Sequence, residues 1–205
     1  MVFSYYPGCT LKNKAKALDD YARACALTLG FELEELDTWQ CCGGVFVSNN
    51  DEIASKLSSV RALIAAKEAE RPLVTVCSAC HNVIKQTNYQ ITNDEAFRNR
   101  ANLYLAQDKE KREPYSGETK VMHYFELLRD VVGFDKIKEK VVNPLTGRKI
   151  AAYYGCLLLR PGKVMAFDDP ENPAIMEEFI RAIGAEPVIY PYRNECCGGY
   201  VALED

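Results

Sequence analysis

Residues 40–46 read QCCGGVF and residues 195–205 read ECCGGYVALED, so two adjacent cysteines followed by two glycines occur twice in one chain. The flanks match as well. YYPGC, ending at Cys9, pairs with YYGC, ending at Cys156; each is followed by helix-forming sequence closing in LGFE (29–32) or IGAE (183–186), then a strand, then CCGG. Self-similarity of this kind marks one supersecondary unit used twice. Thirty-one residues separate Cys9 from Cys41 and 39 separate Cys156 from Cys196, the extra length falling in RPGKVMAFDDPENP (160–173), which its three prolines mark as a loop. The first copy runs on for 34 residues from Cys42 to Cys77 and closes with CSAC, bringing in Cys80.

Outward from these motifs, strands and helices alternate. VFSYYPG (2–8), FELEEL (31–36) and PLVTVC (72–77) have strand character, and helices are expected over 12–29, over 51–70 and from near Cys80. Asn49, Asn50 and Asp51 supply capping oxygens ahead of Ile53, Leu57, Val60 and Ile64. The polar stretch 98–118 is expected on the surface, VMHYFELLRDVVGF (121–134) as a short helix with Leu127, Leu128, Val131 and Val132 inward, NPLTGR (143–148) as a turn, and KIAAYYGC (149–156) as a strand. The fold class that follows is α/β: two similar Rossmann-like halves with parallel sheets and flanking helices, residues 1–147 and 148–205, the second incomplete.

Composition narrows the function. The chain has 205 residues, 48% of them hydrophobic and 26% charged, enough for a real core. A net charge of −4 without a basic, aromatic-laced stripe argues against nucleic acid. Its apolar runs are too short to cross a bilayer and MVFSYYPGC lacks the form of a signal peptide, so a cytoplasmic location is expected. In that compartment nine cysteines, an odd number, point to metal or redox chemistry rather than a disulfide framework. Cys25 is the exception: with Leu18, Tyr21, Ala22 and Leu29 it falls on an apolar helical stripe and reads as core.

Cys9, Cys41, Cys42, Cys77 and Cys80 all fall just past the carboxyl ends of expected strands, the edge where open α/β sheets collect ligands. A zinc site or a cubane cluster takes four protein ligands, so a fifth thiol points to something larger or less regular. Consecutive cysteines face one centre only where the chain turns, which Gly43 and Gly44 permit. Cys80 is expected to open a helix whose dipole favours thiolate. A vicinal disulfide or a simple turn is the plain alternative for CCGG.

Cys-x31-Cys-Cys-x34-Cys-x-x-Cys followed by Cys-x39-Cys-Cys resembles the CCG-domain (cysteine-rich) family, and within it the B subunits of heterodisulfide reductases; YYPGCTLK, CCGG, CSAC and YYGCLLLRPG carry the likeness across the chain. The resemblance implies a non-cubane [4Fe-4S] cluster on Cys9, Cys41, Cys42, Cys77 and Cys80, with Cys156, Cys196 and Cys197 contributing to a second. It also implies an anaerobic oxidoreductase, as in methanogenesis, that splits a disulfide such as that of coenzyme M and coenzyme B between the two clusters. Each sulfur would end on an iron, with electrons from a ferredoxin-like C subunit with [4Fe-4S] clusters, itself fed by a flavin-containing A subunit. The second motif lacks a closing Cys-x-x-Cys within the sequence, so the chain reads as a fragment of a longer one. Two other readings stand beside this one: a CCG-domain electron-transfer component of a lactate, glycolate or glycerol-phosphate oxidation or thiol:fumarate reductase system, and a zinc-stabilised scaffold. His81 is read as a surface or capping residue that could instead touch the cluster, His123 as a structural imidazole or proton donor, and Arg160 to Lys163 as a solvated loop or an anion contact.

Overall fold

Strand β1 (Val2–Tyr5) pairs in parallel with β2 (Glu32–Glu35) on one side and β3 (Leu73–Thr75) on the other, and β4 (Val121–His123) completes a parallel sheet of order β2-β1-β3-β4. The computed structural model describes residues 1–44, 53–109 and 112–199. The expected caps at Asn49, Asn50 and Asp51 lie outside them.

Parallel neighbours need crossovers. Helices α1 (Gly8–Lys12) and α2 (Lys16–Leu29) connect β1 to β2, while a 3-10 turn at Ala54–Lys56 and α3 (Leu57–Glu68) lead to β3. Helices α4 (Ser78–Asn93) and α5 (Glu95–Leu105) then lead to β4. The chain leaves β1 in one direction and returns past it to β3, so the topological switch point lies between β1 and β3, the crevice in which ligands bind in such sheets.

Alternation along the strands divides the core into two layers. Leu73 and Val121 face α3, α4 and α5, packing with Val60, Leu63, Ile84 and Phe97. Phe3, Tyr5, Val74 and Met122 face the opposite way, onto Ala22, Ala26 and Leu29 of α2 and Leu127 and Leu128 beyond β4.

Four expectations change in the first half of the chain. The helix expected over 12–29 starts only at Lys16, and a separate short helix precedes it, ending at Lys12 where the Asn13 side chain donates to the Cys9 carbonyl at 2.8 Å. The segment 121–134 begins with the buried strand β4 before α6 (Tyr124–Leu127) and a π turn (Leu128–Val132), and Val131 is exposed rather than inward. Within the polar stretch 98–118, Ala101 and Leu105 of α5 are buried, and Tyr115 is fully buried against Asn88 and Thr119. Finally, Leu18, Tyr21 and Cys25 stand exposed at an open cleft beside α2, so Cys25 is not core; Ala22, Ala26 and Leu29 make the buried stripe instead.

After α7 (Phe134–Lys140), β5 (Lys149–Ala151) and β6 (Glu186–Val188) form a second parallel pair joined through α8 (Gly162–Met165) and α9 (Ile175–Ala182). The stretch 160–173 is therefore more than a loop: α8 lies within it and Met165 and Phe167 are buried. The two sheets are bound together. Phe179 of α9 packs edge-on against Phe125 at 5.3 Å, and Asn82 of α4 donates to the carbonyls of Leu157 and Arg160 at 2.7 and 2.9 Å. No helix among the described residues is long and apolar enough to cross a membrane.

Candidate functional site

The thiols of the first motif converge from three strand ends. Cys9 follows β1 at the start of α1, Cys41 and Cys42 follow β2, and Cys77 and Cys80 follow β3. Cys41 Sγ lies 3.8 Å from Cys9 Sγ, and Cys42 Sγ lies 3.5 Å from Cys80 Sγ. Cys42 and Cys80 are buried, Cys41 and Cys77 half-buried, Cys9 exposed.

Helix α4 starts earlier than expected. Cys77 is its N-cap and Cys80 its third residue. The Cys80 thiol and then the N–H groups of Cys80 and Ala79 lower the Cys77 thiol to about 6, so it is thiolate at neutral pH. Cys80 is pushed up, by Cys42, by Cys77 and by burial, and so retains the proton between them. Cys42 is lowered by its contact with Cys80, whereas burial and then Cys9 raise Cys41 against the Gly43 N–H.

Around these thiols the backbone leaves room that side chains would fill. A Cβ on Gly8 would stand 2.6 Å from Cys80 Sγ, and one on Gly44 would stand 3.4 Å from Cys42 Sγ. Ser58 Oγ donates to the Cys41 carbonyl at 2.9 Å, and the Tyr6 hydroxyl donates to the carbonyl of Gln40.

The second motif repeats this construction. Gly43 and Gly198 have φ of 75° and 76°, a left-handed turn open to glycine, and the Gly198 N–H points to Cys196 Sγ at 3.4 Å as the Gly43 N–H does to Cys41. A Cβ on Gly199 would meet Cys197 Sγ at 3.3 Å, the counterpart of Gly44 and Cys42. The Tyr153 hydroxyl donates to the Glu195 carbonyl at 2.8 Å, as Tyr6 does to Gln40. Cys196 and Cys197 are exposed; Cys156 is half-buried, its thiol pushed up by burial and by Cys196.

Behind the second motif lies a buried ion pair. Arg193 and Glu177 meet in a short contact, and Tyr154 also donates to Glu177. The Arg193 carbonyl accepts from the N–H groups of Tyr154 and Gly155 at 2.7 and 3.3 Å, tying the Cys156 loop to the loop bearing Cys196 and Cys197.

One pocket touches residues of both motifs. Ser78 and Ala79, between Cys77 and Cys80, line one side of a pocket of about 380 Å³ whose other side carries Tyr153, Cys156, Cys196 and Cys197. Among the described residues no three His, Cys, Asp or Glu side chains group as a site for a single metal ion. Two thiol pairs, Cys9 with Cys41 and Cys42 with Cys80, Cys77 beside Cys80, and glycines where a Cβ would strike sulfur fit a broader multi-iron group.

His81 is fully buried, which excludes the surface reading. Burial, then His123 and Lys85, hold it neutral; neither ring nitrogen has a hydrogen-bond partner, and Nε2 lies 3.4 Å from Glu126. His123 is structural: its ring accepts from the Phe125 N–H, Nε2 meets the Val76 carbonyl at 2.9 Å, and burial lowers it to about 4. Arg160 is engaged by Glu171 at 2.9 Å within its own loop and by the Asn194 carbonyl from the loop that carries Cys196 and Cys197. Sequence reasoning missed Tyr6 and Tyr153, although the repeated YY before each Gly-Cys was the signal that pointed to them.

A family model described as CCG, cysteine-rich domain, matches residues 3–85 and 150–204, one model falling on both halves. The chain is 31% identical over 196 residues to the 8-methylmenaquinol:fumarate reductase membrane anchor subunit of Wolinella succinogenes, covering 96% of the chain and 66% of that protein. It is 29% identical over 197 residues to the B subunit of the ferredoxin:CoB-CoM heterodisulfide reductase of Methanosarcina mazei, covering 95% and 64%. With a protein of Archaeoglobus profundus described as like the heterodisulfide reductase B subunit it shares 27% over 199 residues, covering 96% and 66%. The chain thus spans 64% to 66% of the length of these relatives.

Proposed function

This chain belongs to the CCG cysteine-rich domain family, and from that premise we propose that it is an iron–sulfur oxidoreductase component that reduces a disulfide. In this reading Cys9, Cys41, Cys42, Cys77 and Cys80 hold a non-cubane [4Fe-4S] cluster, and Cys156, Cys196 and Cys197 contribute to a second. The halves 1–147 and 148–205 each supply one motif. When bound, such a group supplies electrons and Lewis acidity. The protein's share is geometry and exclusion of water.

One observation supports the reading above the rest: the pocket that holds Cys156, Cys196 and Cys197 is also lined by Ser78 and Ala79, the two residues between Cys77 and Cys80. A disulfide has two sulfur atoms to be separated, and this pocket sets the second motif's thiols opposite the backbone that carries Cys77 and Cys80. Its lining is largely apolar, with Leu157, Ala79 and the rings of Tyr153 and Tyr154, which suits the alkyl arms of a thioether or disulfide rather than a bare anion. The net reaction, one disulfide with two electrons and two protons giving two thiols, needs a partner that delivers two electrons, together or one at a time. A ferredoxin-like protein fed by a flavoprotein of the same complex fills that role in this proposal.

A second reading is favoured by the match to a fumarate reductase component over 96% of the chain: the motifs relay electrons within a larger complex without turning over a disulfide. The two are separated by counting iron and assaying turnover in anaerobically purified protein. Disulfide reduction is expected to stop, and bound iron to fall, in Cys41→Ala and Cys42→Ala. Protein that holds iron and passes electrons but reduces no alkyl disulfide supports the relay instead. Colourless protein carrying zinc without iron or acid-labile sulfide defeats both.

A further inference from the structure

We propose that Tyr6 and Tyr153 are positioning residues for the two cysteine pairs: each hydroxyl holds the carbonyl immediately before its CCGG turn and so sets where the paired thiols stand. The inference deepens the iron–sulfur reading, resting on it for what the thiols bind but not for how they are held.

The same set of contacts recurs in both copies. The Tyr6 hydroxyl reaches the Gln40 carbonyl across 34 residues of sequence, and the Tyr153 hydroxyl reaches the Glu195 carbonyl across 42. In each case the acceptor belongs to the residue before the first cysteine of the pair. The ring edge is also placed alike: Cε1 of Tyr6 lies 3.5 Å from the Cβ position of Gly8, and Cε1 of Tyr153 lies 3.5 Å from that of Gly155. Gly8 and Gly155 in turn precede Cys9 and Cys156. Each tyrosine therefore links the Gly-Cys loop to the Cys-Cys loop within its own motif.

Burial does not account for the recurrence. Tyr6 is fully buried, whereas Tyr153 is 48% exposed and has water available to its hydroxyl. Peptide planarity explains why the contact matters: the carbonyl of Gln40 shares a rigid plane with the amide nitrogen of Cys41, so pinning the oxygen restricts how the Cys41 side chain leaves the backbone. The turn that follows passes through a glycine with no side chain to stiffen it. In the first copy Ser58 adds a second anchor at the Cys41 carbonyl.

The test compares Tyr6→Phe and Tyr153→Phe with Tyr104→Phe, a control at an exposed tyrosine of α5, all on protein as purified anaerobically. Amide hydrogen exchange is followed in peptides covering 40–44 and 195–199, and electron paramagnetic resonance is recorded at matched iron content. Loss of one neutral hydrogen bond should speed exchange in the affected turn about fivefold. Tyr153→Phe should act on 195–199 alone, and Tyr6→Phe on 40–44 alone and less strongly because Ser58 remains. The spectrum should shift while iron per chain is retained. Wild-type exchange in both turns of both variants overturns the proposal, as does equal acceleration of both turns by either one. Wild-type protein without iron would sink the iron–sulfur reading, and the exchange measurement would still decide the clamp.

Discussion

The two cysteine motifs share one turn and differ in what surrounds it. In the first, Cys42 and Cys80 are buried and α4 closes over the site with Cys77 at its N-cap. In the second, Cys196 and Cys197 are exposed and face the pocket. The turn itself is local: tyrosine, Gly-Cys and CCGG reproduce the same contacts in both settings. Depth and polarity come from the neighbouring elements. The acidic partners of the other tyrosine of each pair show this division, because Tyr5 donates to Asp19 on α2, beside the partly exposed Arg23, whereas Tyr154 donates to Glu177, buried with Arg193.

That contrast gives the largest expected effect. Glu177→Ala leaves Arg193 buried without its counter-ion and removes the acceptor for Tyr154, so it should cost about 3–5 kcal/mol of stability. Asp19→Ala strands only the Tyr5 hydroxyl, because Arg23 reaches water and Glu35, and should cost about 1–3 kcal/mol. Urea unfolding of the two variants measures the difference. Equal losses would mean that the buried pair contributes no more than the partly solvated one.

An intermediate effect separates the glycines before Cys9 and Cys156. Both have positive φ, 76° at Gly8 and 63° at Gly155, so alanine is strained at either. That strain is about 1–2 kcal/mol. Only at Gly8 does the new methyl also strike sulfur, 2.6 Å from Cys80 Sγ. Overpacking of this kind adds about 1–3 kcal/mol. Gly8→Ala should therefore be the less stable variant and the one that loses iron, while Gly155→Ala keeps the first motif loaded. Iron content with unfolding midpoints checks it, and iron retained in Gly8→Ala would show that Cys80 can move aside.

What the sequence revealed and what it hid follow the same division between local and distant causes. The strands β1, β2 and β3, and the placement of all five thiols at their carboxyl ends, were legible because hydrophobic runs and Gly-Cys turns are local signals. Strand β4 was hidden because Val121–His123 has three residues and runs directly into α6, so its apolar pattern read as helix. Tyr115 lay in polar sequence, and its burial rests on partners the local pattern does not show, Asn88 of α4, Asn102 of α5 and the hydrophobic cluster around Leu63 and Ile84. The N-cap role of Cys77 was missed because cysteine is not among the usual caps. The register of α2 was misjudged for another reason: Leu18, Tyr21 and Cys25 form as good an apolar stripe as the one containing Ala22, Ala26 and Leu29.

Helix α2 supplies the smallest effect and the sharpest control. Cys25 is exposed beside Leu18 and Tyr21, in a cleft that also reaches Val76 and Ser78, and it is not among the residues lining the pocket of Cys156, Cys196 and Cys197. Serine there removes no core contact, and exposed substitutions of this kind change stability by about 0.5 kcal/mol or less. Cys25→Ser should therefore leave iron content, spectrum and unfolding midpoint at their wild-type values, whereas a buried cysteine on the inner stripe would make the same change costly. A loss of stability above about 1 kcal/mol would return Cys25 to the core, since buried large-to-small or polar replacements begin at that level. A loss of iron at full stability would instead add a ninth thiol to the eight assigned above.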